Sequence, residues 1–154
     1  MPRPRQRYND CVVAVFRQIT GEDEQTAFLR FVRHLTGDAG ISVDALAACL
    51  KDAGWVLTPY EALRQFTPPD GPFDEEAFRA FWSDFRGEAV IFYRRGEAKV
   101  GHTIFVQSGG VVLDPHPSAP EDGEFIVDHF QRVGGEVTLT SISTVTRALD
   151  QTTG

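Results

Sequence analysis

Cys11 in Asn9-Asp10-Cys11, His102 in Gly101-His102 and Asp114 in Leu113-Asp114-Pro115 are side chains that can pass and hold a proton between them. In the chain order thiol, imidazole, carboxylate they form one workable set of nucleophile, base and group that orients the base. Asn9 and Asp10 are helix N-cap types, which places Cys11 in the first turn of a helix. Free backbone N–H groups and the positive end of the helix dipole favour a thiolate there, and the same N–H groups can receive an oxyanion.

Whether His102 and Asp114 meet depends on a hairpin. Thr103-Ile104-Phe105-Val106 and Val111-Val112-Leu113 flank Gln107-Ser108-Gly109-Gly110, a strong turn signal. A three-residue loop at Ser108-Gly109-Gly110 pairs Gln107 with Val111, so Asp114 faces Ile104. His102 then lies one diagonal away on the same sheet face, about 7–8 Å between backbones. A loop at Gln107-Ser108-Gly109 instead sets Asp114 directly opposite His102. Either register brings the carboxylate to an imidazole nitrogen, whereas a two-residue loop turns the pair to opposite faces.

The elements that must position these groups are helices first and strands after. Val12, Val15, Phe16 and Ile19 fall at helical spacing, with Gly21 as the stop. Phe28, Phe31, Val32 and Leu35 repeat the spacing up to Gly37. A third helix starts at Ser42, an N-cap type, and carries Val43, Leu46 and Leu50 before Gly54. Pro68, Pro69, Gly71 and Pro72 make a loop, after which Asp74 caps a helix bearing Phe78, Phe81, Trp82 and Phe85. Strands are expected at 89–93, 103–106, 111–113 and 136–142, with polar or Pro-rich connections at 94–99 and 115–124. Residues 125–133 read equally as helix or strand. This is an α+β chain, its helices packed on one side of a C-terminal antiparallel sheet, in a single domain spanning 1–154.

Bulk properties narrow the function. The 154 residues are 42% hydrophobic and 24% charged, ordinary for a globular domain with a real core. No apolar run approaches the roughly 20 residues of a membrane helix, and no secretory signal follows the first residues, so the cytoplasm is the default location, with non-classical export open. The net charge of −7 argues against nucleic acid as a partner. Residues 1–7 hold three Arg and no acid, leaving −10 (−7 minus 3) on the rest. They read as a flexible basic arm, or as a segment that docks a partner, faces the substrate or contacts nucleic acid. Cys11 and Cys49 are expected reduced, with Cys49 in the core. No zinc-type spacing of Cys or His occurs, so neither metal nor cofactor is expected. His34 suits a helix C-terminus, His116 reads as a loop residue, and His129 has no evident partner.

These residues together resemble the papain-like cysteine peptidases, most closely the compact bacterial type that includes the bacteriocin-leader-processing peptidases. The resemblance rests on Asn9-Asp10-Cys11 at a helix start, on Gly101-His102-Thr103-Ile104-Phe105-Val106 and on Leu113-Asp114-Pro115, with Ile19-Thr20-Gly21 closing the first helix. It implies Cys11 as nucleophile, His102 as general base and acid, Asp114 as orienting group, and a peptide or protein substrate. It also implies an upstream oxyanion-hole Gln. Gln6 is the nearest, one residue closer to Cys11 than the family pattern, and the Asn9 amide is an equal candidate. Val12 stands where the family has Gly. The expectation is a thiol hydrolase acting on a peptide or isopeptide carbonyl. Its alternatives are a papain-like partner-binding domain without turnover, and a deamidase or acyltransferase using the same three residues.

Overall fold

A computed structural model describes residues 11–32, 43–60, 75–95, 101–117, 119–133 and 137–148. In chain order the described elements are α1 (Cys11–Thr20), α2 (Glu24–Val32), α3 (Val43–Asp52), β1 (Trp55–Pro59), α4 (Glu75–Asp84), β2 (Glu88–Arg95), β3 (His102–Gln107), β4 (Val111–Leu113), β5 (Glu124–Phe125), α5 (Ile126–Val133) and β6 (Val137–Arg147).

Helix α1 is buried well beyond its expected stripe: Cys11 to Phe16 and Ile19 are all inside, because the helix packs against β3, α2 and α3 together. It stops where expected, at Gly21, whose φ of 77° lets its N–H reach Arg17 O at 2.8 Å. Asp23 caps α2, its Oδ1 accepting the Thr26 N–H at 2.7 Å. The buried face of α2 is Ala27 and Phe31; Phe28 and Val32, expected in the stripe, are 53% and 46% exposed. Phe31 decides this orientation by meeting Phe16 edge-on at 5.3 Å, which the small Ala27 permits one turn earlier. Helix α3 buries Leu46 and Leu50 as its spacing predicts, and Cys49 with them, while Val43 at its start is only half-buried. Leu35, Gly37, Ser42, Asp74 and the loop at 68–72 lie outside the described residues.

The sheet is antiparallel throughout, in the order β1-β6-β2-β3-β4-β5. Two strand expectations change. β1 lies between helices, in the half read as helical. It has no clean alternation and ends in Pro59, which an edge strand tolerates. The last strand runs on to Arg147, because the Ser- and Thr-rich stretch from Ser143 pairs with β1 on one side while 137–144 pairs with β2 on the other. Residues 125–133 resolve into the end of β5 and then α5.

Alternation along the strands divides the core in two. Val90, Phe105 and Val145 face α1, α2 and α3, while Ala89, Ile91, Ile104, Val106 and Val112 face α4 and α5. The α+β class and the antiparallel sheet are as expected. The helices, however, cover both faces, because α4 and α5 bring Phe78, Trp82, Ile126 and Val127 to the second one. Burying each such side chain contributes about 1.5–3 kcal/mol. Among the described residues no helix is long and apolar enough to cross a membrane.

Candidate active site

Cys11 is the first residue of α1 and 7% exposed. The apolar residues that follow it seat the helix on β3, so the helix start arrives over the first two residues of that strand. The His102 imidazole and Thr103 lie close enough to act on the Cys11 thiol.

His102 opens β3 opposite Tyr93 of β2, and the two rings meet edge-on at 5.6 Å. The β3–β4 register pairs Gln107 with Val111 and Phe105 with Leu113. This is the three-residue loop over Ser108-Gly109-Gly110, the first of the two registers compatible with a His–Asp contact. Both glycines have positive φ, 79° and 75°, and Gly110 is also packed so closely that a Cβ would stand 2.9 Å from Trp82 Cβ. Asp114 therefore lies one diagonal from His102, and its Oδ1 accepts a hydrogen bond from Nε2 at 2.6 Å. That leaves Nδ1 of the ring for the thiol.

Asp114 is 2% exposed and its charge is met from several sides. Oδ1 also accepts the backbone N–H of His116 at 2.9 Å, and Oδ2 accepts from Arg132 Nη2 at 3.0 Å. Burial opposes its ionisation, but His102, the His116 N–H and the neighbouring His129 outweigh it and hold the carboxyl well below the usual range. Burial likewise opposes a charged His102, yet the hydrogen bonds and charges of Asp114 and Cys11 raise its pKa to about 9. The Cys11 thiol is raised by burial and lowered more by His102 and Thr103, ending below an ordinary thiol. Near neutral pH these shifts favour an imidazolium beside an ionised carboxylate, and they make the thiolate easier to form than in an ordinary cysteine.

Behind Asp114 stands a group of side chains the sequence reading missed. His129, thought partnerless, is fully buried: its Nε2 meets the Tyr93 hydroxyl at 2.9 Å and its Nδ1 meets Glu124 Oε1 at 3.0 Å. Arg132 Nη2 reaches Glu124 Oε1 at 2.7 Å as well as Asp114. His129 and Arg132 share a face of α5 at i, i+3 spacing, a signal hidden while 125–133 stood between helix and strand. Ligand-type atoms of Asp114, Glu124 and His129 lie within 4.8 Å of one another. The Arg132 guanidinium already supplies the positive charge against both acids. His116 contributes its backbone, and Cys49 is buried in the core with its thiol against Arg30 O at 3.6 Å. Gln6, Asn9, His34 and the basic stretch 1–7 lie outside the described residues.

An all-antiparallel sheet with β3 opening at the start of a buried helix is the α+β arrangement expected from the resemblance to papain-like peptidases. A solved structure, the peptidase domain of Streptococcus ComA, a bi-functional ABC transporter involved in a quorum-sensing pathway, is similar over 93% of this chain and 93% of its own, with a TM-score of 0.57 and 15% identity. At that identity the likeness is one of fold. No protein-family model matches the chain, and no curated protein does.

Proposed function

We propose that this protein is a cysteine peptidase-like hydrolase that cleaves a peptide or isopeptide carbonyl through an acyl-enzyme on Cys11. The observation that carries the reading is His102 held between two partners, Cys11 and an Asp114 oxygen 2.6 Å from Nε2. The Cys11 thiolate attacks the carbonyl carbon, forming a C–S bond and pushing the π pair onto oxygen. The free N–H groups at the α1 start stabilise that oxyanion, assisted by Gln6 or Asn9. As the intermediate collapses, the C–N bond breaks and the His102 imidazolium gives its proton to the leaving nitrogen. Neutral His102 then takes a proton from water, whose oxygen attacks the thioester. The C–S bond breaks, regenerating thiolate and imidazolium. Asp114 stays ionised and keeps the ring in place.

Deamidation and acyl transfer would run through the same thioester, with a different leaving group or acceptor. Val12 in place of Gly favours a binding domain without turnover; its burial in the core beside α2 and α3, 3% exposed, weighs against that reading.

The test is iodoacetamide labelling from about pH 4 to 9, followed at each cysteine by mass spectrometry, for the native protein and His102→Ala. Labelling of Cys11 that is fast below pH 7, outpaces Cys49 and collapses in the variant is expected. Slow labelling of Cys11, indifferent to the substitution, would sink the proposal.

A further inference from the structure

The Asp114 carboxylate is not held by His102 alone. Its second oxygen accepts from Arg132 Nη2 at 3.0 Å, and the same nitrogen reaches Glu124 Oε1 at 2.7 Å, while Arg132 Nε lies 3.0 and 3.1 Å from the two Glu124 oxygens. Glu124 thus grips the guanidinium with both oxygens, and Nη2, held against Oε1, also turns an N–H to Asp114. A planar fork held this way loses little further freedom when it binds a second carboxylate. Glu124 Oε1 also meets His129 Nδ1, and His129 Nε2 meets the hydroxyl of Tyr93, whose ring lies edge-on against His102. The chain of contacts leaves the carboxylate side of His102, passes through α5 and β5, and returns under its ring.

We infer that Arg132 is a positioning residue for the thiol–imidazole pair: clamped by Glu124, it sets the net charge that surrounds the Asp114 carboxylate on which His102 depends. The inference rests on the reading of Cys11, His102 and Asp114 given above. A clamp that served only to tie α5 to the loop after β4 would need neither a shared nitrogen nor a partner 2% exposed.

Charge arithmetic separates positioning from mere structure. The groups facing Asp114 are His102 and, through it, Cys11; the His116 N–H; Arg132; and, next to them, Glu124, His129 and Tyr93. Arg132→Met removes a cation from this set, which leaves the imidazolium in a more negative surrounding and makes it harder to deprotonate. Glu124→Gln removes an anion and does the reverse. One charge beyond the carboxylate, partly screened by solvent, moves the His102 midpoint by about 0.5–1 pH unit.

The experiment follows the imidazole of His102 by NMR between about pH 5 and 10.5, assigned against His102→Gln, in the native protein, Arg132→Met, Glu124→Gln, the double variant and Arg132→Lys. The His102 midpoint is expected to rise in Arg132→Met and to fall in Glu124→Gln. It should return to within about 0.3 unit of native in the double variant, whose net charge is restored, and in Arg132→Lys, which keeps the cation. Shifts of the same sign in both single variants, or none in either, would overturn the inference, whatever Cys11 does. Cys11 labelling indifferent to His102, with the opposite shifts intact, would instead refute the hydrolase reading and leave the clamp standing. If Arg132→Met fails to fold, Arg132→Lys with Glu124→Gln carries the test: a midpoint that does not fall in Glu124→Gln overturns it.

Discussion

Asp114→Asn keeps the shape of a side chain and removes the charge on which His102 relies. In the native protein the carboxylate accepts from His102 at 2.6 Å, from the His116 N–H at 2.9 Å and from Arg132 at 3.0 Å. His102 is lifted from the ordinary 6.5 to about 9. At 1.36 kcal/mol per pH unit that step is roughly 3 kcal/mol in favour of the protonated ring. Cys11 supplies part of it, so the variant is expected to lose about 2 kcal/mol near neutral pH, or about 4–8 °C in Tm for a chain of 154 residues. The dependence on pH has a definite sign. Because the folded pKa is raised, this stability is complete below about 6.5 and is lost as pH rises through about 9. Calorimetry of both proteins should therefore show a Tm gap that is widest near about pH 6 and narrows by about pH 10. In the variant, burial acts on the ring with one fewer opponent, so labelling of Cys11 near neutral pH should fall as well. A Tm gap that stays constant across this range would refute the reasoning, since the loss would then come from neutral hydrogen bonds and packing.

Cys49→Ala should cost about 1–2 kcal/mol in denaturant unfolding by emptying a fully buried site, while the pH profile of Cys11 labelling stays native, because Cys49 belongs to the core and burial keeps its thiol above the ordinary range. Phe31→Ala should destabilise by about 3–5 kcal/mol, since the ring is fully buried against Phe16 at 5.3 Å, whereas Phe28→Ala on the same helix, 53% exposed, should change stability by under about 0.5 kcal/mol; equal costs would contradict the orientation of α2. Gly109→Ala and Gly110→Ala share a positive φ, but only the second adds a Cβ 2.9 Å from Trp82. Urea titration should find about 1 kcal/mol lost in the first and at least about 1 kcal/mol more in the second.

The gathering of Cys11, His102 and Asp114 was readable in the sequence because each sits at a marked element end. Asn9 and Asp10 announce the helix that Cys11 opens, and the Gly109-Gly110 pair narrows the hairpin to registers that bring Asp114 to His102. The order of the sheet was not readable in the same way. β1 acquires its identity from β6, where Trp55 meets Arg147, a pairing across most of the chain that leaves no local trace. The face of α2 was undecidable from spacing, since Phe28–Val32 and Ala27–Phe31 are both apolar i, i+4 pairs and only contact with Phe16 selects between them. Glu124, His129 and Arg132 converge through a strand-to-helix change at Phe125, so their common purpose appears only once α5 is a helix.

Cys11 belongs to the core shared with α1, α2 and α3, while the residues flanking His102, Tyr93 and Ile104, belong to the core on the other side of the sheet. The sulfur and the nitrogen it faces are thus anchored in two separately packed bodies, and the bond between them is a gauge of how those bodies are seated. A slide of α1 by a fraction of an ångström would leave every helix and strand intact and still part the thiol from the imidazole that lowers its pKa. In mild denaturant the reactivity of Cys11 should therefore fade before circular dichroism registers any loss, making one sulfur atom the earliest witness of loosening between the layers.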